Sequence, residues 1–313
     1  MIDWLPSNLR PFWVALVALL IATQGAACVS HHTGSMPDEP TDDPFVTVDD
    51  TRVRFIDTGN ADGPPVVLLH GFNATLNTWD PVIPALEDDH RIIALDLRGF
   101  GFSDRPEDQD YSPEAQADLV WALLDERGVD RTHVVAHSWG SSVALEMALS
   151  QPERVDRLAL YSAWVYAEQL PTFFYWSRAS GVGEALFRLF YRQRPADKMA
   201  TAFYDPSIMS QELVDEVDDN LRRPGALAGA LEAARGQRFE DTEHRYPQVD
   251  HPTLLLWGRD DQVSHLSIGE RLVSELPDAT LEVYPRCGHF PMIEALHASN
   301  RDLAAFLAPG GDP

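Results

Sequence analysis

A serine on a tight turn between a strand and a helix is the feature that most constrains this chain. The β-branched run at 132–135 predicts a buried strand, and residues 142–149 favour a helix. Between them lies the sequence Ala-His-Ser-Trp-Gly at 136–140, which places small residues two positions before and after Ser138. Such a turn exposes the hydroxyl group above the N-terminus of the following helix. Ser138 is therefore a candidate nucleophile, although a serine at this position can also serve only as a helix cap.

Two other segments place an acid and a histidine after predicted strands. Asp260 and Asp261 follow the apolar run 254–257, and His289 follows the strand-like run 280–284. The C-terminal ends of strands in an open α/β sheet form the edge where ligands bind, so we expect these residues to meet Ser138 there. A serine nucleophile needs a base, and a histidine base needs an orienting carboxylate.

This order of serine, acid and histidine resembles the α/β-hydrolase family over residues 45 to 307. The segment 96–104 is similar to the family's loop after the fourth strand, and 288–294 is similar to its histidine loop. The resemblance implies an α/β fold with a mostly parallel eight-stranded sheet, flanking helices and an inserted helical cap.

Domain boundaries follow from the same resemblance. It implies a hydrolase core formed by residues 45–162 and 241–313, and a helical cap formed by residues 163–240. Many aromatic residues lie between 164 and 191, and we expect some of them to line an apolar substrate pocket.

The roles of individual residues are implied by the family's motifs. Ser138 would be the nucleophile, His289 the base and Asp261 the orienting acid, since the family's spacing favours Asp261 over Asp260. The backbone N–H groups of Phe72 and Trp139 would form the oxyanion hole.

These residues predict a serine hydrolase that cleaves a small to medium apolar carboxylic ester through an acyl-enzyme on Ser138. Other interpretations stay open because fold and catalytic residues do not fix the substrate. They are a proline iminopeptidase-like peptidase or amidase, a carbon–carbon bond hydrolase, a cofactor-free perhydrolase and a non-catalytic binding lipoprotein.

Several classes of function are disfavoured. A serine at position 138 argues against dehalogenases and epoxide hydrolases of this fold, which carry an aspartate there. No phosphate-binding loop, complete dinucleotide motif or metal-binding motif occurs in the sequence, so we expect neither a cofactor nor a metal. The net charge of −25 predicts repulsion from nucleic acid and from anionic lipid.

The N-terminus predicts export. Arg10 precedes the apolar run 11–22, and small residues at 25–27 lead into Cys28. Residues 1–27 therefore resemble the signal peptide of a bacterial lipoprotein, with Cys28 as the lipidated residue that anchors the protein to a membrane of the cell envelope. Cleavage by an ordinary signal peptidase, giving a periplasmic or secreted enzyme, and an uncleaved anchor are the alternatives. The polar composition of residues 28–44 predicts a flexible tether.

Overall fold

An eight-stranded sheet organises the protein in the computed structural model, which describes residues 29–193 and 195–308. Along the sheet the strands follow the order 1-2-4-3-5-6-7-8, in which β2 is antiparallel to both of its neighbours and β3 to β8 are parallel. The predicted mostly parallel eight-stranded sheet is thereby confirmed. The strands are β1 (Phe45–Val48), β2 (Thr51–Gly59), β3 (Pro65–Leu69), β4 (Arg91–Leu95), β5 (Thr132–His137), β6 (Val155–Tyr161), β7 (Thr253–Gly258) and β8 (Ala279–Tyr284).

Both faces of the sheet are covered, which explains why its central strands are almost wholly apolar. In β3, Val67 and Leu69 pack into the core on one face of the sheet, while Val66 and Leu68 pack into the core on the other. This alternation follows from the period of two residues in a strand.

Eleven α-helices accompany the sheet in the described part of the chain. They are α1 (Pro113–Glu126), α2 (Gly140–Ser150), α3 (Thr172–Ser177), α4 (Val182–Phe190), α5 (Pro195–Ala202), α6 (Gln211–Arg222), α7 (Ala226–Gly236), α8 (Phe239–Thr242), α9 (Leu266–Glu275), α10 (Pro291–Glu294) and α11 (Leu296–Leu307). Short 3₁₀ helices lie at Leu76–Trp79, Ile83–Ala85, Pro152–Arg154, Ala167–Gln169, Pro206–Ile208 and Glu243–Gln248. Apolar residues of α1, α2 and α9 share one core, and those of α10 and α11 share the other.

The insertion between β6 and β7 is helical and comprises α3 to α8. It contacts the sheet domain through aromatic side chains, since the ring of Phe174 in α3 lies 5.8 Å from the ring of Phe72. We call this insertion the cap.

Residues 29–44 lie on the domain instead of forming the free tether that their composition predicts. His32 pairs with Arg105 through two backbone hydrogen bonds, and the Gly34 N–H donates to the Asp104 carboxylate at 2.7 Å. Met36 is buried and its sulfur accepts a hydrogen bond from Arg105. Backbone pairing and apolar burial together hold this otherwise polar segment in place.

The predicted signal peptide at 1–27 and the lipidation site Cys28 lie outside the described residues. Within residues 29–193 and 195–308, no helix has the length and apolar character needed to cross a bilayer.

Candidate active site

Ser138 occupies the sharp turn between β5 and α2, with a backbone φ of +52° that non-glycine residues rarely adopt. The Ser138 N–H donates to the Tyr161 carbonyl at 2.9 Å, and the Trp164 N–H donates to the Ser138 carbonyl at 3.0 Å. These bonds to the end of β6 and the segment after it hold the strained turn. The following Gly140 is required because a Cβ atom there would lie 2.5 Å from the His70 carbonyl oxygen.

The three predicted catalytic side chains form a continuous hydrogen-bonded chain. His289 Nε2 lies 3.0 Å from Ser138 Oγ, and His289 Nδ1 lies 2.9 Å from Asp261 Oδ2. All three residues are largely buried, with exposed fractions of 8% for Ser138, 5% for His289 and 2% for Asp261. The arrangement lets His289 accept the serine proton while Asp261 fixes the orientation of the imidazole ring.

Asp261 and its neighbour Asp260 have different partners. The second oxygen of Asp261 accepts the N–H groups of Val263 and Ser264 at 2.8 and 2.9 Å. Burial opposes ionisation, but the charge and hydrogen bond of His289 and these two N–H groups together lower the pKa of Asp261. The Asp260 carboxylate instead accepts the Arg286 N–H, away from His289.

The candidate oxyanion donors lie in two turns that approach each other. In the part of the chain that the structure describes, no hydrogen bond uses the N–H group of Phe72 or Trp139 as donor. A Cβ atom on Gly71 would lie 3.1 Å from Ser138 Cβ, so the turn that begins at Gly71 passes directly beside the nucleophile. Both N–H groups are available for a carbonyl oxygen of a substrate.

Aromatic rings surround these donors. The Trp139 ring lies 6.2 Å from Phe72 and 5.3 Å from Phe100, both in edge-to-face contact. Phe174 of the cap contacts Phe72. Ser138, the candidate nucleophile, therefore lies beside an apolar aromatic cluster to which core and cap both contribute.

His137 is a site residue that the sequence motifs do not identify. Its Nε2–H donates to the His289 carbonyl at 2.9 Å, and the two imidazole centroids are 4.8 Å apart. Burial lowers the pKa of His137 to about 3, so this ring is neutral and supports the histidine loop. His70 supports the neighbouring loop, since its Nε2 accepts the Leu97 N–H at 2.9 Å.

The cap also holds the histidine loop directly, which was not predicted either. The His289 N–H donates to the Ala202 carbonyl of α5 at 2.7 Å. One Glu294 oxygen accepts the Gly288 N–H at 2.8 Å, and the other accepts the Tyr204 N–H of the cap at 2.7 Å. Glu294 therefore joins the loop that carries His289 to the cap. The only signal in the sequence is its place in the 288–294 motif.

A small polar cavity of about 10 Å³ lies where the cap meets the loop after β4. Its lining includes Asn73, Arg105, Tyr191 and Asn220. The buried Arg105 guanidinium donates to the carbonyls of Gly101 and Ser103, while its Nε and the Asn220 Oδ1 have no partner. Among the described residues, no carboxylate forms an ion pair with Arg105.

Metal ligands are not clustered in the part of the chain that the structure describes, where no group of three or more His, Cys, Asp or Glu side chains is placed to hold an ion. Cys287, beside the histidine loop, is buried, and burial raises the pKa of its thiol.

Comparison with known proteins adds to this geometry. Residues 64–296 match the model of a family described as the alpha/beta hydrolase fold. A 2-hydroxy-6-oxononadienedioate/2-hydroxy-6-oxononatrienedioate hydrolase of Paraburkholderia phymatum is 33% identical over 82% of this chain and 91% of its own length. A 2-hydroxy-6-oxo-6-phenylhexa-2,4-dienoate hydrolase of Burkholderia cepacia is 30% identical over 87% of this chain and 98% of its own length.

Among solved structures, the meta-cleavage product hydrolase CumD of Pseudomonas fluorescens IP01 is similar to this chain. The TM-score is 0.72 at 27% identity, and the match covers 84% of this chain and 96% of that one.

Proposed function

This chain belongs to the α/β-hydrolase fold family, and on that premise we propose that it cleaves a bond beside a carbonyl group through an acyl-enzyme on Ser138. The hydrogen-bonded chain from Ser138 through His289 to Asp261 is the observation that carries the proposal. A side chain arranged only to cap a helix would need neither the base nor the orienting acid.

The reaction begins when His289 Nε2 takes the proton from Ser138 and the serine oxygen attacks the substrate carbonyl. The N–H groups of Phe72 and Trp139 receive the resulting oxyanion. When the carbonyl re-forms, the bond to the leaving group breaks, and the leaving group takes its electron pair and the proton from His289. Water then attacks the acyl-enzyme by the same route, which releases a carboxylic acid and restores Ser138.

The bond that breaks, in our proposal, is the carbon–carbon bond of a 2-hydroxy-6-oxo-dienoate. The names of relatives that are 30% to 33% identical support this substrate class. Arg105 supports it as well, because a buried cation without a carboxylate partner can be compensated by the carboxylate of a substrate. Burial lowers the pKa of Arg105 to about 10, which leaves the guanidinium protonated at pH 7.

The position of Arg105 fits this role. The cavity that it lines also includes Asn73, the residue after the candidate oxyanion donor Phe72. A substrate with an anionic end at Arg105 and an apolar acyl group at the aromatic cluster would place its ketone between them. Because the cavity holds about one water molecule, the cap must move to admit a carboxylate.

A carboxylic ester is the second candidate. The apolar rings of Phe72, Phe100 and Trp139 beside the nucleophile favour a neutral acyl group, and ester cleavage uses the same attack and the same oxyanion donors. An ester would not need Arg105.

Steady-state kinetics on 2-hydroxy-6-oxo-6-phenylhexa-2,4-dienoate and on p-nitrophenyl butyrate test the proposal. We expect kcat/KM to be at least tenfold higher for the dienoate, and Ser138→Ala to abolish turnover of both compounds. Arg105→Gln should raise KM for the dienoate by about tenfold or more, since a buried charge pair loses one partner, and should leave ester turnover within about threefold. Arg91→Gln is the matched control, because Arg91 is paired with Asp57 at the N-terminal end of β4.

Turnover of the ester alone would refute the carbon–carbon substrate and favour the second candidate. Dienoate turnover that survives Ser138→Ala would overturn the acyl-enzyme itself.

A further inference from the structure

The strongly exposed large apolar side chains of the described residues are concentrated in one part of the cap. All seven of them lie between residues 173 and 208. The most exposed are Trp176, Leu189 and Phe190, whose exposed fractions are 58%, 57% and 55%. Concentrated exposure of this kind marks an interaction surface and not random scatter.

The exposed residues of α3 and α4 lie on neighbouring helices. Phe173 and Trp176 are three positions apart in α3, so they share one face of that helix. The Phe173 ring lies 6.1 Å from the ring of Phe187 in α4, and Leu189 and Phe190 follow at the end of α4. We call the exposed residues Phe173, Trp176, Leu189 and Phe190 the apolar cap face.

The charge of this region differs from that of the chain. Residues 172–209 contain five basic and three acidic residues, whereas the whole chain contains 24 basic and 49 acidic residues. The net charge of −25 predicts repulsion from anionic lipid, but the segment that carries the apolar cap face is locally positive. Apolar side chains accompanied by arginine are the combination that binds at a bilayer surface.

The described chain begins beside α4, the helix that carries Leu189 and Phe190. Val29 and Ser30 line a surface groove of about 290 Å³ together with Arg188 of α4, Arg192 and Leu227. Cys28 directly precedes Val29, and the apolar run 11–22 ends seven residues before it, a span of at most about 25 Å. A lipid on Cys28, or an apolar segment inserted in a membrane, would therefore be attached next to α4.

From these observations we infer that the apolar cap face docks on the surface of a phospholipid bilayer, with Arg188 of α4 and Arg192 after it at the level of the lipid phosphates. Attachment at the N-terminus keeps the protein close to the bilayer, and the apolar cap face determines how the protein is oriented on it. A second copy of the chain fits this face less well, because it would bring two regions of the same positive charge together. The inference does not depend on which substrate is cleaved.

Hydroxyl-radical footprinting of the full-length protein tests the orientation, with and without vesicles of three parts phosphatidylcholine to one part phosphatidylglycerol. We expect oxidation of Trp176 to fall at least threefold on vesicles, while oxidation of the exposed His297 in α11 stays unchanged. Unchanged oxidation of Trp176 in vesicle-bound protein would overturn the inference, since residues 1–28 would then hold the protein without the cap.

A pair of matched double variants tests the affinity. Leu189→Glu with Phe190→Glu should weaken binding to the same vesicles at least tenfold, whereas His297→Glu with Ala305→Glu, which adds the same charge to exposed positions of α11, should leave it within about twofold. Equal melting temperatures and ester turnover show that both variants are folded. Vesicle binding that is equal in the two variants would refute the inference. So would a wild-type dimer in analytical ultracentrifugation that the cap variant dissociates.

Discussion

Asp260 and Asp261 are adjacent in sequence, but their carboxylates bind different groups, so we expect their substitution to affect kcat differently. Because Asp261 holds the imidazole and Asp260 holds only the Arg286 N–H, Asp261→Asn should lower kcat by about 10⁴, whereas Asp260→Asn should cost about tenfold or less. Steady-state kinetics on any substrate that the wild type turns over measures both variants. A larger loss in Asp260→Asn would reverse the two assignments.

The Glu294 carboxylate accepts one backbone N–H from the histidine loop and one from the cap. Glu294→Gln keeps one acceptor oxygen and loses the other, so we expect kcat to fall about tenfold at pH 8, with a smaller change in KM. Burial raises the pKa of Glu294 even though the N–H groups bound to its carboxylate oppose the shift. As pH falls through this raised pKa, the wild type loses its anionic acceptor as well.

The ratio of wild-type to Glu294→Gln activity should therefore shrink as pH falls through the raised pKa of Glu294, and pH profiles of kcat measure it. A ratio that stays constant while the wild-type carboxylate is titrated would show that the charge of Glu294 does not position His289.

At the scale of elements, α2 carries a buried acid that makes stability depend on pH. Burial, aided by the charge of Glu114, raises the pKa of Glu146 from its usual 4.5 to about 7, although Arg245 acts against this. Between these two pH values the folded protein keeps a proton that the unfolded chain releases, so stability falls as pH rises through this range and stays lower above it.

Glu146→Gln should therefore unfold like the wild type near pH 5 and be more stable by about 1–2 kcal/mol at pH 8, since solvent screens part of the charge effect. Urea unfolding at both pH values measures this, with the exposed Glu153→Gln as control. An equal gain at pH 5 would contradict the explanation.

The sequence predicts elements where the chemistry is local and misses contacts that join distant elements. The strand-turn-helix pattern around Ser138 and the residues after β7 and β8 carry their own signals, so the sequence singles out the serine, acid and histidine that the structure brings together. The bond from His289 to the Ala202 carbonyl could not, because a backbone carbonyl has no side-chain signature. Docking of residues 29–44 was missed for a related reason: their largely polar composition hides the few apolar side chains that pack on the domain, Met36 and Val29.

At the scale of the whole molecule, residues 29–44 join the N-terminus to the core. Removal of residues 1–44 should lower the melting temperature by about 3–12 °C relative to removal of residues 1–28. Burial of Met36 is worth about 1.5–3 kcal/mol, and each kcal/mol shifts the midpoint of a large domain by about 2–4 °C. Calorimetry of the two truncated proteins measures the difference. Equal melting temperatures would mean that the docked segment contributes no stability.

The hydrogen bonds between the histidine loop and the cap also determine which segments can be exchanged between related hydrolases without loss of activity. A cap taken from another hydrolase would not place a carbonyl where Ala202 lies or an N–H where Tyr204 lies, so His289 and Glu294 would lose hydrogen-bond partners even if the new cap folded well. The exchangeable module is therefore the cap together with residues 288–294. Libraries that shuffle the two pieces as one unit should retain far more active members than libraries that cut between them.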